Sequence, residues 1–358
     1  TPPRLLFKRG SDTAITEIRV DTELLGHVGA WGTGANPIIR PAAGTPFVIW
    51  NDAAMTQLTI DSIDFRGPWD TTTEHGISPN PFTWAASPTS CHYQIWDCSF
   101  DGFGRIDVTT TAPNSRIMMG NCIVTNWQDY GFLINTEGQT VGMAGLRIAQ
   151  NVDALHGGPK VGGIHNNHGP LRLSWAENVY LGCCDLFSRT GWSGASGNDR
   201  ADQPCIRGNA GGTAGVYRNF DRVVCEGGTG AIIVMDGSNT GTPENPGNYI
   251  FDRMLLIGTG KSKSAFISAQ MGGLTLRNSL MVLPNVAQRV SGGWAAAIEM
   301  NADNPQPGNI EAPMQIYSNT ILVLRDTATD PELNYATIVD NQYPFTNVTA
   351  ENNVLHAP

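Results

Sequence analysis

The chain has 358 residues and a formal net charge of -10, with charged residues at only 15%. Its four lysines, Lys8, Lys160, Lys261 and Lys263, argue against nucleic acid as a partner, because neutralising phosphates takes clustered Lys and Arg. No stretch reaches the roughly 18 consecutive apolar residues of a membrane span, and 41 glycines with 22 prolines favour many tight turns over long helices.

Residues 1–45 read as an N-terminal cap with a first turn, and 46–358 as a repetitive body. Thr1-Pro2-Pro3 brings neither an initiator Met nor a charged and apolar leader, which is expected of a processed or trimmed chain. Trp31, Trp50, Trp69, Trp84 and Trp96 crowd the first hundred residues. They are expected to pack as that cap rather than line a sugar groove.

From residue 60 one short pattern returns, each time ending a strand-like run: Ile60-Asp61-Ser62-Ile63-Asp64-Phe65, Ile95-Trp96-Asp97-Cys98-Ser99-Phe100, Met118-Met119-Gly120-Asn121-Cys122-Ile123 and Gly182-Cys183-Cys184-Asp185-Leu186. Further copies are Phe251-Asp252-Arg253-Met254-Leu255-Leu256, Leu276-Arg277-Asn278-Ser279-Leu280, Ile316-Tyr317-Ser318-Asn319-Thr320-Ile321 and Glu351-Asn352-Asn353-Val354-Leu355. The equivalent inward positions are taken as Ile63, Cys98, Cys122, Cys184, Val223, Met254, Ser279, Thr320 and Asn353. One double-length step, between Cys122 and Cys184, hides a degenerate turn near Leu146 to Asp153.

A second run alternates with the first: Ile106-Asp107-Val108, Leu133-Ile134-Asn135, Ile164-His165-Asn166, Ile206-Arg207-Gly208, Ile233-Val234-Met235-Asp236, Phe266-Ile267-Ser268, Ile298-Glu299-Met300 and Ile338-Val339-Asp340. Apolar residues two apart put one strand face inward. Two or more short strands per irregular turn, without helical periodicity, define an all-β, single-domain, right-handed parallel β-helix of about nine to eleven turns. Of seven cysteines, Cys98, Cys122 and Cys184 share the inward position and read as buried free thiols, while a disulfide from Cys91 stays open.

The opening Arg4-Leu5-Leu6-Phe7-Lys8-Arg9-Gly10, followed by Gly29-Ala30-Trp31-Gly32-Thr33-Gly34-Ala35-Asn36-Pro37-Ile38-Ile39, resembles the first turns of many bacterial β-helix proteins of the pectate-lyase-like superfamily. That resemblance implies the fold and a carbohydrate polymer as substrate or ligand, since such proteins include polysaccharide lyases, glycoside hydrolases, uronate epimerases, carbohydrate esterases and phage tailspikes. It implies a secreted or cell-surface protein, monomeric or homotrimeric. It selects no one family: the paired aspartates with Gly-His-Gly of polygalacturonase-like hydrolases are not evident, and the Gly-Glu-x-Glu calcium segment of alginate and chondroitin lyases is absent.

Three of the seven histidines, His156, His165 and His168, lie in a 13-residue window with Lys160. The repeat sets His165 after inward Ile164, and Arg207 after inward Ile206 of the next turn, so both are expected in one outward column. Asn167 and Asn209 stand two residues further on. A lyase cleaving a uronate polymer needs its carboxylate neutralised and a base for the neighbouring C–H. Arg207 or Arg200 would supply the first, and Lys160, His165 or His168 the second. His156, Trp192 and Asp236 complete the expected substrate contacts.

Two other readings stay open. Asp199 and Asp202 beside Trp192 would serve a glycoside hydrolase, whose two carboxyl groups must stand at a set separation. They would equally ligate Ca2+. Zinc is disfavoured, because His165 and His168 point to opposite sides of a continuing strand. The last reading is a non-catalytic carbohydrate-binding β-helix, such as a tailspike body or an adhesin.

Overall fold

A short strand with apolar residues at every second position stays in water only if its apolar face is covered, and here each strand covers the next by stacking in parallel. The computed structural model describes residues 3–20, 26–42, 48–51, 57–67, 81–84, 92–103, 105–110, 116–125, 127, 130–136, 140–149, 169–174, 178–187, 205–209, 217–227, 231–236, 248–258, 265–283, 295–300, 312–324, 336–341 and 345–356. All the elements it forms are strands. They build a right-handed parallel β-helix.

Two compact units divide the chain, Thr1–His168 and Gly169–Pro358. In the first, one sheet stacks Arg4–Lys8, His27–Trp31, Gln57–Asp61, His92–Trp96, Arg116–Gly120 and Thr140–Ala144. A second sheet stacks Asp12–Ile15, Ile38–Pro41, Asp64–Arg66, Ser99–Asp101, Ile123–Thr125 and Arg147–Ala149. The third face pairs Arg105–Thr110 with Tyr130–Thr136, and Ile18–Val20, Ile49–Asn51 and Phe82–Trp84 form a small separate sheet.

The second unit repeats the plan. Its first sheet holds Asn178–Gly182, Tyr217–Asp221, Asn248–Asp252, Leu274–Arg277, Met314–Tyr317 and Val348–Glu351. Its second holds Asp185–Phe187, Val224–Gly227, Leu255–Gly258, Leu280–Leu283, Thr320–Val323 and Val354–His356. Its third holds Leu171–Ser174, Ile206–Asn209, Ile233–Asp236, Ala265–Ala269, Ala295–Met300 and Ala336–Asn341. Residues 1–45 thus contribute rungs to the same sheets, ahead of the first copy of the sequence pattern.

The recurring pattern is a two-residue corner between first and second sheets. Its leading residue takes a left-handed conformation: Ser62, Asp97, Asn121, Cys183, Arg222, Arg253, Asn278, Ser318 and Asn352 lie at φ between 51 and 57, and Gly145 at 64 marks the degenerate turn. Such a φ costs a non-glycine residue about 1 kcal/mol or more. Most corners recover it through two backbone bonds to neighbouring coils, as where Asp97 N–H donates to the Gly120 carbonyl at 3.0 Å and Ser99 N–H to that of Ile63 at 3.0 Å.

The next residue points inward. Ile63, Cys98, Cys122, Leu146, Cys184, Val223, Met254 and Ser279 are all buried there. Thr320 does not belong to this series: Leu280 pairs with Thr320, so the inward residue is Asn319, 1% exposed. Polar side chains at this position bond along the stack. Ser279 Oγ accepts from Met254 N–H at 3.0 Å, Asn319 Oδ1 from Ser279 N–H at 3.0 Å, and Asn353 Oδ1 from Asn319 N–H at 3.0 Å.

Apolar stacks fill the rest. In the first unit Phe65 and Phe100 lie parallel at 5.2 Å with Phe82 edge-on to both. In the second, Phe220 and Phe251 meet tilted by 31° at 4.9 Å. Each such ring buried contributes about 2 kcal/mol. Cys98, Cys122, Cys184, Cys205 and Cys225 are free and buried, whereas Cys183, at the left-handed position, is free and exposed.

Candidate functional site

In the second unit the third sheet turns Leu171, Leu173, Ile206, Ile233 and Met235 inward, all at most 1% exposed. The residues between them face out. Register pairs Leu171 with Ile206, Arg172 with Arg207 and Leu173 with Gly208. Arg172 and Arg207 therefore stand side by side on one outer column, about 4.8 Å apart in backbone. Both are half-buried and engaged with other groups of the chain.

On the other side Arg207 pairs with Val234, and Asn209 with Asp236. Ser268 follows Val234, and Glu299 follows Ser268, in the same column. This column carries arginines at one end, then Val234, Ser268 and a buried Glu299.

The backing of the site is specific. Gly208 adjoins Tyr249 of the first sheet so closely that an added Cβ would stand 2.4 Å from the Tyr249 hydroxyl. Tyr249 in turn lies under Arg218, a fully buried inward arginine whose guanidinium carbon sits 4.9 Å from the ring centroid. A cation stacked on an aromatic face is attracted by the ring quadrupole.

The expected partner of Arg207 changes here. Sequence spacing set His165 in the adjacent rung, but the strand beside Ile206–Asn209 is Leu171–Ser174, so Arg172 takes that place. The alternation Leu171-Arg172-Leu173 is the sequence signal for this rung, and the histidine-rich window lies just before it. His156, Lys160, His165, Asn167 and His168 lie outside the described residues, as do Trp192, Asp199, Arg200 and Asp202. Asn209 and Asp236 pair in register, and their side chains lie outside the described residues.

A second polar group lines the end of the first sheet. Arg253 and Arg222 contact Asp221 at 2.7 and 3.1 Å. Arg277 donates to Asp252 at 3.0 Å and to the Tyr317 hydroxyl at 3.1 Å, and Asn278 donates to Asp252 at 2.9 Å. Burial would raise the Asp252 pKa, yet the Asn278 and Arg277 hydrogen bonds with the Arg277 and Arg253 charges hold it below the ordinary carboxylate value. These groups pair mainly with one another, which marks a polar belt more than a substrate pocket.

Among the described residues no three His, Cys, Asp or Glu side chains are arranged to hold a metal ion, and no helix is long and apolar enough to cross a membrane. The expected cap of tryptophans is corrected in part: Trp31 is 52% exposed, not packed. The side chains of Trp50, Trp69 and Trp84 lie outside the described set.

Fold and face together define a parallel β-helix with a cationic outer column. No protein-family model matches the chain, and no curated protein matches it in sequence. Among solved structures it is similar to the A-module of mannuronan C-5 epimerase AlgE6 from Azotobacter vinelandii, with 10% identity and a TM-score of 0.43 over 100% of this chain and 91% of that one. The AlgE4 A-module from the same organism gives 9% identity and a TM-score of 0.37 over 98% of this chain and 91% of that one. At such identities and TM-scores the likeness carries no argument, and the fold rests on the parallel sheets themselves.

Proposed function

We propose that this protein acts outside the cell on a uronate-containing polysaccharide, and that it is a lyase cleaving by β-elimination. The supporting observation is the register pairing of Arg172 with Arg207 on the outer third-sheet face. A planar carboxylate suits the fork of donors that each guanidinium carries. A polymer laid along this face would bring its uronate group there.

The chemistry follows from that contact. Neutralising the carboxylate acidifies the proton on C5. A base removes it, the C5–H electron pair becomes the C4=C5 double bond, and the C4–O bond breaks, its oxygen leaving with a proton. Lys160, His165 and His168 are the proposed bases and Arg200 a further carboxylate ligand. His156, Trp192, Asn167, Asn209 and Asp236 are the proposed binding residues.

The test follows ultraviolet absorbance of the unsaturated product on polygalacturonate, alginate and glucuronate polymers. Arg172→Ala and Arg207→Ala should each lower kcat/KM about 30-fold or more, for loss of a charged hydrogen bond. Arg207→Lys should recover only part, because an ammonium cannot bond bidentately. Silence on every uronate polymer with reducing ends released from a neutral one would overturn the lyase in favour of hydrolysis by Asp199 and Asp202.

A further inference from the structure

Far from the arginine column in sequence, the first sheet of the first unit presents an outer face of a different kind. Its first strand turns Arg4, Leu6 and Lys8 outward, all exposed. Lys8 is paired in register with Trp31, and Arg4 with His27. Trp31 leaves 52% of its surface in water, and Leu6 39%.

Beside them His27 reaches across Gly29 to hydrogen-bond Asp61. Gly29 leaves the room for this contact, since a Cβ there would lie 2.6 Å from the His27 Nε2. Asp61 is thereby occupied by His27, whereas Lys8 and Arg4 enter no ion pair among the described residues. The patch is locally basic on a chain of net charge -10.

We infer that this face is a second, non-catalytic binding strip for an acidic polysaccharide, with a sugar ring stacked on Trp31 and its carboxylate held by Lys8. An open indole offers a flat apolar platform at low entropic cost. The carboxylate of a uronate lies at the ring edge, and Lys8 stands one strand spacing, about 4.8 Å, to the side of Trp31. Charge complementarity selects an anionic chain over a neutral one. The ligand class rests on the proposed function, but the strip and its residues do not.

The test is retardation of the whole protein in native gels cast with polygalacturonate or alginate, against dextran. Wild type should be retarded by the acidic polymers only. Trp31→Ala should weaken binding about tenfold, and Lys8→Ala about threefold with a shallower salt dependence. Both exposed substitutions should leave the thermal midpoint, and turnover of a short uronate oligomer, unchanged. Undiminished retardation of Trp31→Ala, or no retardation of wild type, would overturn the strip. Retardation that Trp31→Ala abolishes, without turnover of any uronate, would keep the strip and remove the lyase. Turnover with retardation insensitive to both substitutions would do the reverse.

Discussion

Asp252 shows how one carboxylate ties two neighbouring coils. It sits at the end of Asn248–Asp252, accepting from Arg277 and Asn278 of the following coil, with the Arg253 charge beside it. Its pKa is lowered in the folded protein, so it contributes stability that is present above the unfolded value of about 3.9 and is lost as pH falls through the folded value. Thermal midpoints followed from pH 6 to pH 2.5 should therefore fall less steeply below about pH 4 in Asp252→Asn than in wild type. Equal slopes would show that the contacts do not favour the charged form. Asp12 behaves likewise at the surface, its pKa lowered by the Arg40 hydrogen bond, but full exposure makes it a weak contributor.

The element that carries this fold is the corner, not the strand. Strands of three to seven residues would not persist alone. The corner fixes where each strand begins, by its left-handed residue and by the inward residue after it. In Ser279, Asn319 and Asn353 the inward side chain also serves the neighbouring backbone. Asn319→Ala would leave the Ser279 N–H without its partner and remove the amide's bond to the Leu276 carbonyl. It should cost about 3 kcal/mol. Ser279→Ala frees the Met254 N–H and removes the Oγ bond to the Arg277 carbonyl, which keeps its bond from the Arg253 N–H, and should cost about 1–2 kcal/mol. Denaturant midpoints measure both, with exposed Thr349→Ala as reference; three equal midpoints would show the ladder to be energetically idle.

Much of this was legible because the corner leaves a chemical signature. A polar or glycine residue, then a small or apolar one, then a branched strand start identified the copies around Cys98, Cys122 and Met254. It failed by one residue at Tyr317-Ser318-Asn319-Thr320, where adjacent polar residues suit either position and only pairing with Ser279 decides between them. The site was less legible. Arg207 was found from its place after Ile206, but its neighbour Arg172 follows a connection whose length no periodicity predicts.

At the scale of the whole molecule, the buried thiols report on integrity. Cys98 and Cys122 lie in the first unit and Cys184, Cys205 and Cys225 in the second. Burial, chiefly, pushes the Cys98 and Cys225 thiols well up, and a thiol reacts as its thiolate. Brief alkylation of native protein followed by peptide mass mapping should label Cys183 and spare these five. Labelling of all six described thiols should appear only with global unfolding. Early modification of Cys98 and Cys122 alone would instead reveal that the first unit opens by itself.

The corner also sets what this architecture can change. From Gln57–Asp61 onward, two residues always separate a first-sheet strand from the second-sheet strand that follows it, while the stretches closing each coil differ widely in length. Chain can therefore be inserted or exchanged in those closing stretches without shifting the phase of any rung. The frame is inherited rung by rung and the decoration is free to diverge, so a new specificity would arise here by swapping the segments that flank the arginine column.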